Sequence, residues 1–235
     1  LRMGFRRRVR ELHAPGGRTL GLLLDDVSGG MIAAGYVHAM VGQLDPGVRA
    51  LRETRTIDAS AAQFTQADIC SGWRSDGTMM VSIRAGEPMP FLQAPSVDLH
   101  PEGSDGWPAV AIPKPGLRRH RRIDVSPDGD EWHIDAWFRD TYCDPAGQMA
   151  ALHEYTVEAT VDASDHTLLD VRASPHALPW NECPAAADAV GKLVGQSIED
   201  LRSSVPQTLK GLESCTHLTN ELRELADVPA MVALL

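Results

Sequence analysis

From Glu131 to Asp140 apolar and polar positions alternate. Trp132, Ile134, Ala136 and Phe138 fall on one face of an extended chain, and His133, Asp135, Trp137 and Arg139 fall on the other. Side chains of a strand point to opposite faces in turn, so this pattern predicts a strand, Glu131–Tyr142, with one face in a core. Three neighbouring stretches, Arg118–Val125, Met149–Val161 and Thr167–Ala173, are the other strand candidates. Pro127-Asp128-Gly129-Asp130, Asp144-Pro145-Ala146-Gly147 and Asp162-Ala163-Ser164-Asp165 separate them. Turns this short predict an antiparallel meander. Helical patterns follow in a block near Pro184–Val194, Ile198–Leu209 and Thr216–Ala226, with Gly195 and Gly211 as stops and Pro229 beyond the last. Strands followed by helices predict an α+β fold, a β-meander packed against C-terminal helices.

The chain before residue 117 is less regular. Phe5, Val9 and Leu12 recur at helical spacing over residues 4–13, while Leu20 to Leu24 and Met31 to Val41 suit either strand or helix. Residues 45–116 hold most of the prolines and many glycines, which predicts a connector with one helix near Ala61 to Ile69. Trp73, Phe91 and Trp107 argue that it packs, since disordered segments are poor in aromatics. The expected division is an N-terminal segment over 1–44, a connector over 45–116 and an α+β unit over 117–235.

Composition narrows the class. The chain has 235 residues, 43% of them hydrophobic, enough for a core in one large or two small domains. No apolar stretch approaches the roughly 20 residues of a membrane helix. The basic start, Arg2 to Glu11, lacks the apolar core of a secretory signal, so the expected compartment is the cytoplasm. Cys70, Cys143, Cys183 and Cys215 are too sparse for a disulfide scaffold. A net charge of -10 argues against nucleic acid as partner, because phosphate neutralisation needs a basic surface.

Candidate chemistry concentrates in the last half. Cys183 directly precedes Pro184, a residue favoured at a first helical position, and a thiol at the positive end of a helix dipole can have a lowered pKa; the favoured reading is a small buried residue where helix meets sheet. Cys215 stands likewise before Thr216 and His217. Cys183, Cys215 and His217, joined by His153 or Asp140, would make a tetrahedral zinc set; the alternative is that both thiols are small buried residues. No organic cofactor is expected. A turn over Asp144–Gly147 would bring Tyr142 and His153 together across a strand pair, with Asp140 nearby, an acid/base group; a strand-end Asp satisfying turn amides is the other reading. Arg119 and Arg121 share one face of their strand and Arg118, His120 and Arg122 the other. Such a face binds phosphate or carboxylate, or it protects an edge strand from aggregation. No Gly-rich phosphate loop, Gly-x-Ser-x-Gly elbow, His-Glu-x-x-His helix or dinucleotide fingerprint occurs, which counts against the enzyme classes built on them.

Arg121-Arg122-Ile123-Asp124, Asp140-Thr141-Tyr142, His153-Glu154-Tyr155 and Cys215-Thr216-His217-Leu218 together resemble a bacterial family, domain of unknown function 2889, over about residues 117–227. The chain looks like a longer actinobacterial form with a diverged copy of the domain in front. Gly4-Phe5-Arg6, Leu22-Leu23-Leu24-Asp25-Asp26 and Gly35-Tyr36 would match the end of that copy, whose earlier strands are missing, and Asp68-Ile69-Cys70-Ser71-Gly72-Trp73 resembles a connecting motif. The resemblance implies no activity, but it makes Asp140 and His153 family positions. The expected function is a cytoplasmic enzyme acting on a small, partly apolar acid or thioester, as lyase, isomerase or hydrolase. His153 would be the acid/base, Asp140 its orienter, Tyr142 a second polar group, and Arg119 and Arg121 the anion clamp. A non-catalytic binding or homo-oligomeric assembly module is the alternative.

Overall fold

A computed structural model of the chain describes residues 67–85, 87, 94–96 and 111–235, together with Asp26, Val27 and Gly30. The expected helix over 4–13, the two ambiguous apolar stretches, the remnant N-terminal copy and residues 61–66 of the expected connector helix otherwise lie outside the described residues.

Five strands form one antiparallel sheet: β1 (Ala94–Pro95), β2 (Gly116–Asp128), β3 (Glu131–Cys143), β4 (Met149–Asp162) and β5 (Leu168–Ala177). β3 lies between β2 and β4, and the far edge of β4 is shared. β5 covers Glu154 to Val161, and the two residues of β1 cover Ala150 and Ala151. The β2–β3 turn is tight because Gly129 takes φ +58, a conformation that other residues adopt only with strain. The inner face carries Ile134, Phe138, Tyr155, Val157 and Val161, which pack against Leu193, Ile198, Leu201, Leu218 and Leu222 of the C-terminal block. The α+β arrangement follows the alternation and the order of elements.

The helical block is more broken than its periodicity suggests. Cys183–Leu193 is a run of 3-10 turns, with Ala186, Ala187 and Ala189 buried. A 3-10 turn over Ile198–Asp200 runs into α2 (Leu201–Thr208), and α3 (Thr216–Glu224) runs into a 3-10 turn over Leu225–Asp227. Gly195 ends the first run in the left-handed conformation, with φ +84. Pro229, expected beyond the last helix, instead sits in the first turn of α4 (Val228–Val232), where a missing backbone N–H is no loss. The described connector holds α1 (Thr78–Ala85), which lacks a strong sequence signal. Its Met79 and Met80 are fully buried against Trp180 and Cys183. Glu182 accepts hydrogen bonds from Thr78 N at 2.7 Å and Thr78 Oγ1 at 2.6 Å, satisfying a first-turn donor that the helix itself leaves open. No described helix is long and apolar enough to cross a membrane.

One irregularity positions the polar residues. β3 and β4 pair in register from Glu131↔Asp162 to Asp140↔His153, and then Thr141 faces Ala151. Leu152 is therefore an extra residue, a β-bulge. The register on the turn side, with Tyr142 opposite Ala150, would put Leu152 opposite Asp140 and His153 opposite Arg139; the bulge brings His153 opposite Asp140, and the expected pairing of Tyr142 with His153 does not occur.

Candidate functional site

Arg119 of β2, Asp140 of β3 and His153 of β4 are successive cross-strand neighbours, so they form one row across the sheet. They share the inner face with Phe138, since residues two apart on a strand point the same way. Arg119 binds Asp140 through both oxygens, Nε to Oδ1 and Nη2 to Oδ2, each at 2.7 Å. His153 Nδ1 lies 3.2 Å from Asp140 Oδ2. The first turn of α3 adds His217, whose ring stacks on His153 with centroids 3.6 Å apart and an angle of 18°; its Nε2 is 3.9 Å from Asp140 Oδ2. Asp140 is fully buried and the two histidines nearly so.

Burial alone would raise the pKa of Asp140, but the Arg119 hydrogen bonds and His153 outweigh it and hold the carboxyl well below its usual range. Burial pushes His217 well below its ordinary value. His153 and Arg119 add to that shift, and Asp140 opposes it. A carboxylate beside a neutral imidazole is the result at neutral pH.

A second layer surrounds Arg121. Its Nη2 contacts Asp26 Oδ1 at 2.8 Å, its Nε lies 2.9 Å from Glu221 Oε2, and its Nη1 lies 3.7 Å from Glu224 Oε1. Asn220 Nδ2 donates to Asp26 Oδ1 at 3.0 Å, and Arg119 Nη1 stands 3.6 Å from the same oxygen. Arg202 Nη2 closes the far side, 3.0 Å from Glu224 Oε2 and 2.9 Å from Asp227 Oδ2. Burial pushes the Glu221 carboxyl up to about 7, with Arg121 opposing and Asp26 and Glu224 adding to the shift. His217, Asn220, Glu221 and Glu224 recur at i, i+3, i+4 and i+7, so they form one face of α3. Asn220, Glu221, Glu224 and Asp26 were not candidates from sequence. The first three could have been found as a polar stripe at helical spacing; nothing local marks Asp26.

The thiols form a separate feature. Tyr155 donates its hydroxyl hydrogen to the Cys183 carbonyl at 3.4 Å and also engages Cys215. Cys183 and Cys215 thus flank one phenol, and all four cysteines are free. Burial raises both thiol pKa values, and it pushes Cys70 up to about 12 with Cys215 adding to the effect. Both thiols are the small buried residues of the favoured reading, and desolvation exceeds what the backbone N–H groups recover, so neither has the lowered pKa of a reactive helix-start thiol. Tyr142 is buried on β3, and its hydroxyl has no hydrogen-bond partner among the described residues.

Among the described residues the group able to offer three metal ligands is Asp140, His153 and His217, whose ligand atoms lie within 4.8 Å of one another. Ligands about 2.0–2.1 Å from a tetrahedral zinc ion lie roughly 3.3 Å apart, so the three side chains would have to draw closer together to hold one. An ion there would have to take an oxygen of Asp140 from Arg119. Of the set expected from sequence, His217 belongs to this group, Cys215 Sγ stands 4.0 Å from its Nδ1, and Cys183 is outside it.

No curated protein and no solved structure matches the chain. Residues 117–231, which carry Arg119, Asp140, His153 and His217, match the family described as Protein of unknown function (DUF2889), and that match supports the family the sequence resembles.

Proposed function

We propose that the protein is a cytoplasmic bacterial enzyme without organic cofactor, acting on a small, partly apolar acid or thioester. In this reading it is the longer actinobacterial form of the family, with a diverged copy of the domain in front. The observation that carries the proposal is the 3.2 Å approach of His153 Nδ1 to the buried, arginine-clamped Asp140. An ionised carboxylate at that distance favours the proton on Nδ1, which leaves the Nε2 lone pair as the base. Arg119 keeps Asp140 ionised, and His217 braces the His153 ring from one face. The layer around Arg119 and Arg121 supplies the recognition of an acid.

The test is His153→Gln, assayed against a panel of short and aromatic carboxylic acids and their thioesters. Gln retains hydrogen-bonding capacity but cannot shuttle a proton. Turnover should fall about 10²- to 10⁴-fold, the usual contribution of a general acid or base, with the melting temperature within a few degrees of the parent. A variant that unfolds, or one that keeps full activity, makes His153 structural and favours the binding or assembly module.

The clustering of Asp140, His153 and His217 favours a second reading, a zinc ion held by these three side chains. It predicts stoichiometric zinc binding that is lost in His217→Gln and kept in Cys183→Ala. Loss in the cysteine variant alone would point to the thiol set instead.

A further inference from the structure

Asp26 has a position that charge balance does not require. Arg119 is matched by Asp140, and Arg121 by Glu221 and Glu224. Asp26 therefore adds a fourth carboxylate to two guanidinium groups. What holds it is convergence: Arg121 Nη2 at 2.8 Å, Asn220 Nδ2 at 3.0 Å and Arg119 Nη1 at 3.6 Å all point at the single oxygen Oδ1. Donors from one strand and one helix meeting at one point make a carboxylate-binding hole, of the kind arginine and amide side chains form around planar anions. The hole also lies at the accessible rim of the network. The Asp26 side chain is 25% exposed, against 8% for Arg119, 13% for Arg121 and none for Glu221.

We propose that the Arg119–Arg121–Asn220 hole is the subsite for the carboxylate of the protein's ligand, a carboxylic acid, and that Asp26 occupies it as an internal competitor. Arg119 places this subsite next to the candidate centre, since the same guanidinium that faces Asp26 grips Asp140 through its other nitrogens. An acid seated there is one side chain away from the Asp140–His153 pair. Entry of the ligand exchanges one carboxylate for another, so the buried charge is unchanged. Asp26 thereby lowers the apparent affinity by the fraction of time it fills the hole. The inference deepens the enzyme reading by naming a substrate class, and its acid-binding part stands without any turnover.

The experiment is chemical rescue in the full chain. Asp26→Ala empties the hole and leaves its donors facing one another, so it should lower the melting temperature. Sodium acetate, butyrate and benzoate are then titrated against sodium chloride at equal ionic strength. The expected result is saturable stabilisation by carboxylate, about tenfold tighter in Asp26→Ala than in the parent. Adding Asn220→Ala should weaken the rescue. If Asp26→Ala is unfolded in chloride, the same titration reads recovery of a cooperative transition. Carboxylates that act no better than chloride, or a rescue indifferent to Asn220→Ala, overturn the proposal. His153→Gln should leave the rescue intact, so loss of the acid/base reading and loss of this subsite give different results.

Discussion

Asp140 and Glu221 are buried carboxylates in one network, with opposite consequences. Asp140 has a folded pKa below its unfolded value of about 3.9, so its contribution to stability is present above that value and is lost as pH falls through the folded pKa. Glu221, pushed up to about 7, does the reverse: its contribution is full below the unfolded value of about 4.3 and is lost as pH rises through the folded one. Glu221→Gln mimics the protonated form at every pH. Its melting temperature relative to the parent should therefore rise between pH 5 and pH 8, and a difference constant over that window would remove the assignment. Arg119→Met should be costly for a related reason. It strands a fully buried carboxylate, and breaking a buried pair by removing one partner costs about 3–5 kcal/mol, measurable by urea denaturation. At this scale Asp140, His153 and the inward Arg119 and Arg121 were legible from strand parity and motif. Asp26 was not, because its role depends on a contact nearly a hundred positions away that no local pattern encodes.

Between elements, the 3-10 turn Ser71–Trp73 packs closely on the run Cys183–Leu193. A Cβ built on Gly72 would meet Cys183 Sγ at 2.6 Å and Trp180 Cδ1 at 2.8 Å. Gly72→Ala should therefore destabilise by about 1–3 kcal/mol, the usual cost of overpacking, and Cys183→Ala in the same chain should recover part of the loss. An additive double variant in denaturant titrations would show that the two sites do not touch. Strand boundaries were largely legible because alternation spans whole elements. The β3–β4 register was not. A bulge leaves no trace in hydrophobic pattern, and a register carried unbroken from the turn would set Asp140 against Leu152 and Arg139 against His153. Both faces of β3 are buried toward its end, where Trp137, Arg139 and Thr141 are covered as fully as Phe138, so the half-buried expectation holds only for its first half. There Arg139 Nη2 and Trp137 Nε1 meet Glu154 Oε1 at 2.7 and 2.9 Å, which satisfies polar groups that would otherwise be costly to cover.

Across the whole molecule, the net charge of -10 and the internal engagement of Arg119 and Arg121 leave little basis for polyanion binding. The protein should pass through a heparin column at physiological salt, and retention there would reopen nucleic acid as a partner. The bulge at Leu152 has a consequence for the molecule's history of length changes. It is a slack link between the Asp144–Gly147 turn and the Asp140–His153 pair, because the register has already slipped before the chain reaches that turn. A residue gained or lost in the turn can be taken up there, leaving the polar row undisturbed. The same change past Tyr155 would invert the face of every core residue that follows. Relatives of this chain should therefore vary in length between residues 144 and 152 and hold it fixed between 153 and 161. Single-glycine insertions at the two places, compared by melting temperature, would show the same asymmetry in the laboratory.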